Sequence, residues 1–135
     1  MTSVDTVAAL LELVEHSSKN EPIDAPVDVW LRAVRDVPEA AFMLAGRPEA
    51  PDVVNVAICL VGDRRCRSRV AMKHAASPQV LGLLASDDEE GVVGHVVHHP
   101  KTPRWALEAL LGHPWDKVRS EAERRVQLLD LSGDG

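Results

Sequence analysis

The sequence predicts an all-α fold, a short α-solenoid of about four to five two-helix repeats with a step of about 26 residues. Three observations carry this. Apolar residues recur at that step, proline-marked turns recur with them, and no segment shows the sustained period-2 alternation of a half-buried strand. The clearest columns are Ala40, Cys66, Val92, Val118 and Leu44, Val70, Val96, Ala122. Ala45, Ala71 and Val97 form a third, which ends in Glu123. Ile58, Leu84 and Leu110 form a fourth, followed by Cys59, Ala85 and Leu111. Val56, Gly82 and Glu108 share a position and match poorly.

Taken in order, "SVDTVAALLELVEH" places Val4, Val7, Leu11 and Val14 at helical spacing. "EPIDAPVDVWLRAVRDV" imitates the proline turn and second helix of a repeat, with Pro22 and Pro26 as its prolines. Residues 1–35 therefore read as a divergent N-terminal capping unit. From residue 36 each unit opens with a short helix whose apolar positions fall at i, i+4 and i+5, as in Val92, Val96 and Val97. The turns "RPEAP", "HAASP" and "HPKTP" end these helices, at residues 47–51, 74–78 and 99–103. Proline suits the first turn of the helix that follows, where its missing N–H would have no partner. Ser77 and Thr102 are suited to cap that helix. The second helix carries Ile58, Leu84 or Leu110, and "GDRR", "SDDEE" or "HPWDK" closes the unit. Neither helix can bury its apolar face alone, so neighbouring units must stack. "VQLLDL" closes the array, and residues 132–135 read as a disordered tail. The expectation is one domain over 1–131, with repeats over 36–129.

The pattern Val96-Val97-His98-His99-Pro100-Lys101-Thr102-Pro103, then Leu107, Leu110 and Leu111, then Val118-Arg119, resembles the leucine-rich repeat variant family. The resemblance covers residues 36–129 and is looser in the second unit, where "KHAASP" carries an extra residue before Pro78. It implies an α-helix alternating with a shorter, often 3₁₀, helix in a right-handed superhelix. It implies no reaction, because architecture defines the family. Some members carry an iron–sulfur domain held by cysteines outside the repeats. This chain has no such cysteine cluster, so no cofactor is expected. HEAT repeats have a unit of ~40–47 residues, too long for this step.

Composition narrows the function classes. In a chain of 135 residues, aromatics are only 3%, with one Phe and no Tyr, so the core must be built from Ala, Val and Leu. Trp30 and Trp105 are expected in that core. A net charge of −6 argues against nucleic acid as partner. Two cysteines make no disulfide framework, and Cys59 and Cys66 read as small hydrophobes in apolar columns. The N-terminus lacks a basic segment before its apolar stretch, and no apolar run approaches the ~20 residues of a membrane span. A cytoplasmic protein with no membrane attachment is expected.

His95, His98 and His99 lie at spacings that can place two imidazoles on one metal. His99, however, belongs to the repeat column Arg47, Lys73, His99, Arg125, and no Cys, Asp or Glu stands beside it to complete a ligand set. No metal site is expected, and no catalytic motif is present. The basic column falls at the ends of the first helices, where cations complement the helix dipole. It can equally form a ridge. Arg65, Arg69 and Lys73 follow one helix face, and Trp115 stands in an inter-unit turn. The expected partner-binding residues are therefore Arg47, Arg69, Lys73, His99, Arg125 and Trp115. The expected function is a non-enzymatic scaffold that meets another protein through an acidic segment, with room for a homodimer. The competing classes are a nucleic-acid-binding HEAT-like protein and a small-molecule or metal enzyme using the His95/His99 region.

Replacing His95 and His98 together by Gln is expected to change stability by less than ~0.5 kcal/mol. Leu110→Ala is expected to cost ~2–5 kcal/mol in urea unfolding. Stoichiometric metal that survives dialysis and is lost in the histidine variant would contradict the repeat reading.

Overall fold

The computed structural model describes residues 2–3, 5–18 and 20–133, and Val4 lies outside them. The fold is all-α. Among the described residues the helices are α1 (Val7–His16), α2 (Val27–Asp36), α3 (Ala41–Ala45), α4 (Asp52–Val61), α5 (Arg64–Met72), α6 (Pro78–Leu84), α7 (Glu90–His98), α8 (Arg104–Ala109) and α9 (Asp116–Ser132). A 3₁₀ turn at Pro38–Ala40 leads into α3, and another at Leu110–Gly112 extends α8. The period is visible in the helix starts. Pro38, Arg64, Glu90 and Asp116 open the first helices, and Asp52, Pro78 and Arg104 open the second, each 26 residues after the last. The expectation of no appreciable strand holds: among the described residues the extended pairing is two residues long, β1 (Thr2–Ser3) parallel to β2 (Ile23–Asp24).

The chain forms two compact units, residues 1–75 and 76–135. In the first, α1, α3 and α5 stack as one layer and α2 and α4 as another. In the second, α7 lies on α9 and α6 on α8, with α6–α7 and α8–α9 contacts joining the layers. The column Leu44, Val70, Val96, Ala122 is fully buried, as are Ile58, Leu84 and Leu110 to within 2%. Val54, Val80 and Ala106 form a further buried column. Small side chains at these positions let helices approach closely and still reach interior packing density.

Local chemistry sets the helix ends. Thr6 accepts from Ala9 N at 3.1 Å, Asp63 from Arg65 N at 3.0 Å and Cys66 N at 3.2 Å, and Ser77 from Val80 N at 3.2 Å. These bonds satisfy N–H groups that a helix leaves without partners. Thr102 departs from its expected role. It is buried and donates from Oγ1 to Val96 O at 2.6 Å, while Pro103 takes the cap position of α8. The extra residue before Pro78 moves Ser77 to the cap of α6 and Pro78 to the first helical position. The C-terminal expectation also shifts. Ser132 is helical and Gly133, at φ 79°, closes α9 in the left-handed region that glycine enters without cost. Asp134 and Gly135 lie outside the described residues.

Trp30 is buried as expected, but Trp105 is 59% exposed. Its ring lies across Gly82, where a Cβ would collide with it. This is why Gly82 departs from its column: position 82 is a seat for an aromatic ring. Gly82→Ala should therefore displace the Trp105 ring and shift tryptophan emission to the red. In a Trp105→Leu background the same substitution should leave emission unchanged. An unaltered spectrum in the otherwise wild-type protein would show that the ring is not seated there.

Candidate partner-binding surface

The structure turns the basic column inward. Arg47 is 2% exposed. Its guanidinium meets Glu49 through Nε–Oε1 at 2.9 Å and Nη2–Oε2 at 2.6 Å, and it donates to Ser18 O at 3.3 Å and Glu21 O at 3.0 Å. Glu49 Oε2 also accepts from Ile23 N at 2.9 Å. Burial works to raise the Glu49 pKa, but the bonds from Arg47 and Ile23 N–H together outweigh it and hold it below its ordinary value. Lys73 Nζ donates to Arg47 O at 2.9 Å and Asn55 Oδ1 at 2.7 Å. His99 is buried, with Nδ1 accepting from Lys101 N at 3.1 Å. Arg125 Nη1 donates to Val97 O at 2.9 Å and His99 O at 2.7 Å.

The six expected residues therefore separate. Arg47 with Lys73, and His99 with Arg125, are joined through backbone carbonyls left at the ends of first helices. The side chains of Arg47 and His99 do not reach the surface, and Lys73 and Arg125 are half-buried. Long cations are favoured here because buried carbonyls need donors and because positive charge suits a helix C-terminus. Trp115 is half-buried, with its ring 3.5 Å from where a Cβ at Gly94 would stand. Arg69 alone joins an outward cluster.

That cluster centres on Phe42, which is 37% exposed. Arg65 and Arg69, one turn apart on α5, place their guanidinium carbons 4.7 and 4.2 Å from its ring centre. Arg69 Nη1 also donates to Phe42 O at 3.0 Å. Gly46 makes this possible, since a Cβ there would stand 2.6 Å from Arg69 Nη2. Met43 and Met72 are exposed beside the cluster, at 37% and 62%. A groove of about 410 Å³ adjoins it, lined by Gly46, Pro48, Arg69, Met72, Lys73 and His74. Phe42, Arg65 and the two methionines were not among the expected surface residues, although a signal for Phe42 existed. Phe42 shares its repeat position with Ser68, Gly94 and Ser120, so the chain's one Phe stands where the repeat uses small residues.

A second, shallower groove of about 470 Å³ runs past His98, Asp116, Lys117, Ser120, Glu121 and Arg124 in the 76–135 unit. Its charges are mixed, and Glu121 is paired with Arg124 at 2.6 Å. His98 Nδ1 lies 2.9 Å from Gly94 O. Among the described residues, no three His, Cys, Asp or Glu side chains come together as metal ligands. Cys66 is buried, and burial raises its thiol pKa, which lowers the thiolate fraction that reactivity needs. Among the same residues, no helix is long and apolar enough to cross a membrane. No family model, curated protein or solved structure matches the chain.

Burial lowers the Lys73 pKa from 10.5 to about 8, against the pull of Glu49. Between about 8 and 10.5 the unfolded chain binds this proton and the folded chain releases it. The Lys73 contribution to stability therefore rises with pH across that window and is flat below it. Urea midpoints of the wild type should gain on those of Lys73→Met from pH 8 to 10.5. A constant difference would show that the ammonium is not desolvated.

Proposed function

We propose that this chain is a non-enzymatic protein-interaction module, a short cytoplasmic α-solenoid of the leucine-rich repeat variant kind, whose partner offers an acidic segment. The observation that carries the reading is the Phe42–Arg65–Arg69 cluster. Aromatic and arginine side chains dominate binding hot spots, and here three of them are held together before any partner arrives. Stacking on Phe42 restrains two otherwise flexible guanidinium groups, which reduces the ordering cost of binding. Guanidinium groups take carboxylates in paired hydrogen bonds, which suits an acidic segment. Met43 and Met72 add unbranched, adaptable apolar surface, and the groove gives a bound chain a place to continue. The layered stacking of equivalent helices within each unit and the 26-residue recurrence of their starts support the solenoid.

The test is cross-linking from the native cell with wild type, Arg65→Glu/Arg69→Glu, and a control pair Arg32→Glu/Arg35→Glu on α2. A protein cross-linked through Phe42–Met72 in the wild type and the control, lost in the cluster variant and weakened by salt, is the expected result. Equal capture by the cluster variant would refute the proposed surface.

A further inference from the structure

The outer face of α4 raises a separate question. Its inner face is ordinary core, with Val54 and Ile58 fully buried. Its outer face is apolar too. Val53, Leu60 and Val61 are 50%, 77% and 54% exposed, and Val56 and Ala57 are half-buried between them. Positions 53, 56, 57 and 60 follow the i, i+3, i+4, i+7 course of a single helix stripe. The repeat provides an internal control. The same repeat positions are Gln79, Gly82 and Leu83 on α6 with Ser86 just past its end, and Trp105, Glu108 and Ala109 on α8 with Gly112 in the 3₁₀ turn that extends it. The fold does not require four apolar residues there, and a helix that is apolar all round is one that is covered on both sides.

We infer that this stripe is the interface of a homodimer, in which α4 packs antiparallel against α4 of a second copy about a two-fold axis. Self-complementarity singles out the second copy as the occupant. The stripe is centred between Val56 and Ala57, so a two-fold axis there sets Val53 against Leu60 of the other copy, and the apolar groups pair throughout. The ends are opposite in charge. Asp52 is exposed at the start of α4. Beyond its end lie Asp63, Arg64, Arg65 and Arg67, a net positive group in which Asp63 is engaged as the cap of α5. Antiparallel pairing brings Asp52 of each copy to Arg64 of the other and also opposes the two helix dipoles. A parallel pair would set like against like at both ends. The stripe lies on a second helix, whereas the Phe42 cluster is built from α3 and α5, so this inference does not rest on the proposed function.

Sedimentation equilibrium of the full chain tests it. The wild type should show a concentration-dependent monomer–dimer equilibrium. Leu60→Glu should raise the dissociation constant more than about tenfold, because each dimer loses two buried leucines and gains two desolvated carboxylates. The circular dichroism of that variant should be unchanged, since Leu60 supports nothing inside the fold. Asp52→Arg and Arg64→Glu should each weaken the dimer, and the two together in one chain should restore it, because every swapped pair is again opposite. A monomer at about 1 mM, some 4 kcal/mol of association at most, would overturn the inference and assign the stripe to a different partner. A dimer indifferent to Leu60→Glu, or a double charge swap that fails to restore association, would overturn it equally.

Discussion

Within each compact unit the stacked first helices depend on one interaction, the hydrogen bond from a long cationic side chain to carbonyls at or just past the end of the helix beneath. Every α-helix finishes with carbonyl groups that have no partner within the helix. Stacking the next helix on that end removes water and would leave those oxygens unsatisfied, at ~1–3 kcal/mol each. Arg47 reaches Ser18 and Glu21, Lys73 reaches Arg47, and Arg125 reaches Val97, His99 and, at 3.4 Å, Pro100. Among the described residues, no buried side-chain nitrogen or oxygen lacks a partner.

This arrangement restricts the basic column. A guanidinium in the position of Arg47 cannot serve both the Ser18 and Glu21 carbonyls that follow α1 and a partner outside. Its charge is balanced at once by Glu49, which is itself fixed by Ile23 N–H, so the connection after α1 is tied to the turn after α3. Breaking one member of such a buried pair leaves the other charged and unpaired, which is why these residues belong to the fold. The side chains left for the proposed surface are those that the stacking does not occupy.

Small residues set the second constraint. Trp30 is taken into the core, but at three other places a large side chain sits where glycine makes room. Gly46 accommodates Arg69, Gly82 accommodates Trp105 and Gly94 faces Trp115. Each large group is thereby held at the surface in a defined place instead of being buried. The outward apolar and aromatic groups of residues 1–75 are exceptions to the repeat rather than products of it: Phe42 in a column of small residues, and Val53 and Leu60 where the next unit has Gln79 and Ser86.

The sequence by itself determined the helical class, the 26-residue step and the buried columns. Those follow from local rules: apolar spacing, proline turns and helix caps are written within a few residues of where they act. Residues such as Val70, Val96 and Leu110 could be placed in the core because burial repeats with the period. Only the tertiary structure decided what the cations do, because Lys73 and the Arg47 carbonyl are 26 residues apart in the chain and 2.9 Å apart in space. The same holds for Phe42 between Arg65 and Arg69, and for Trp105 over Gly82. A column shows that a position is kept. Whether its side chain faces a carbonyl, a ring or solvent depends on the helix stacked against it.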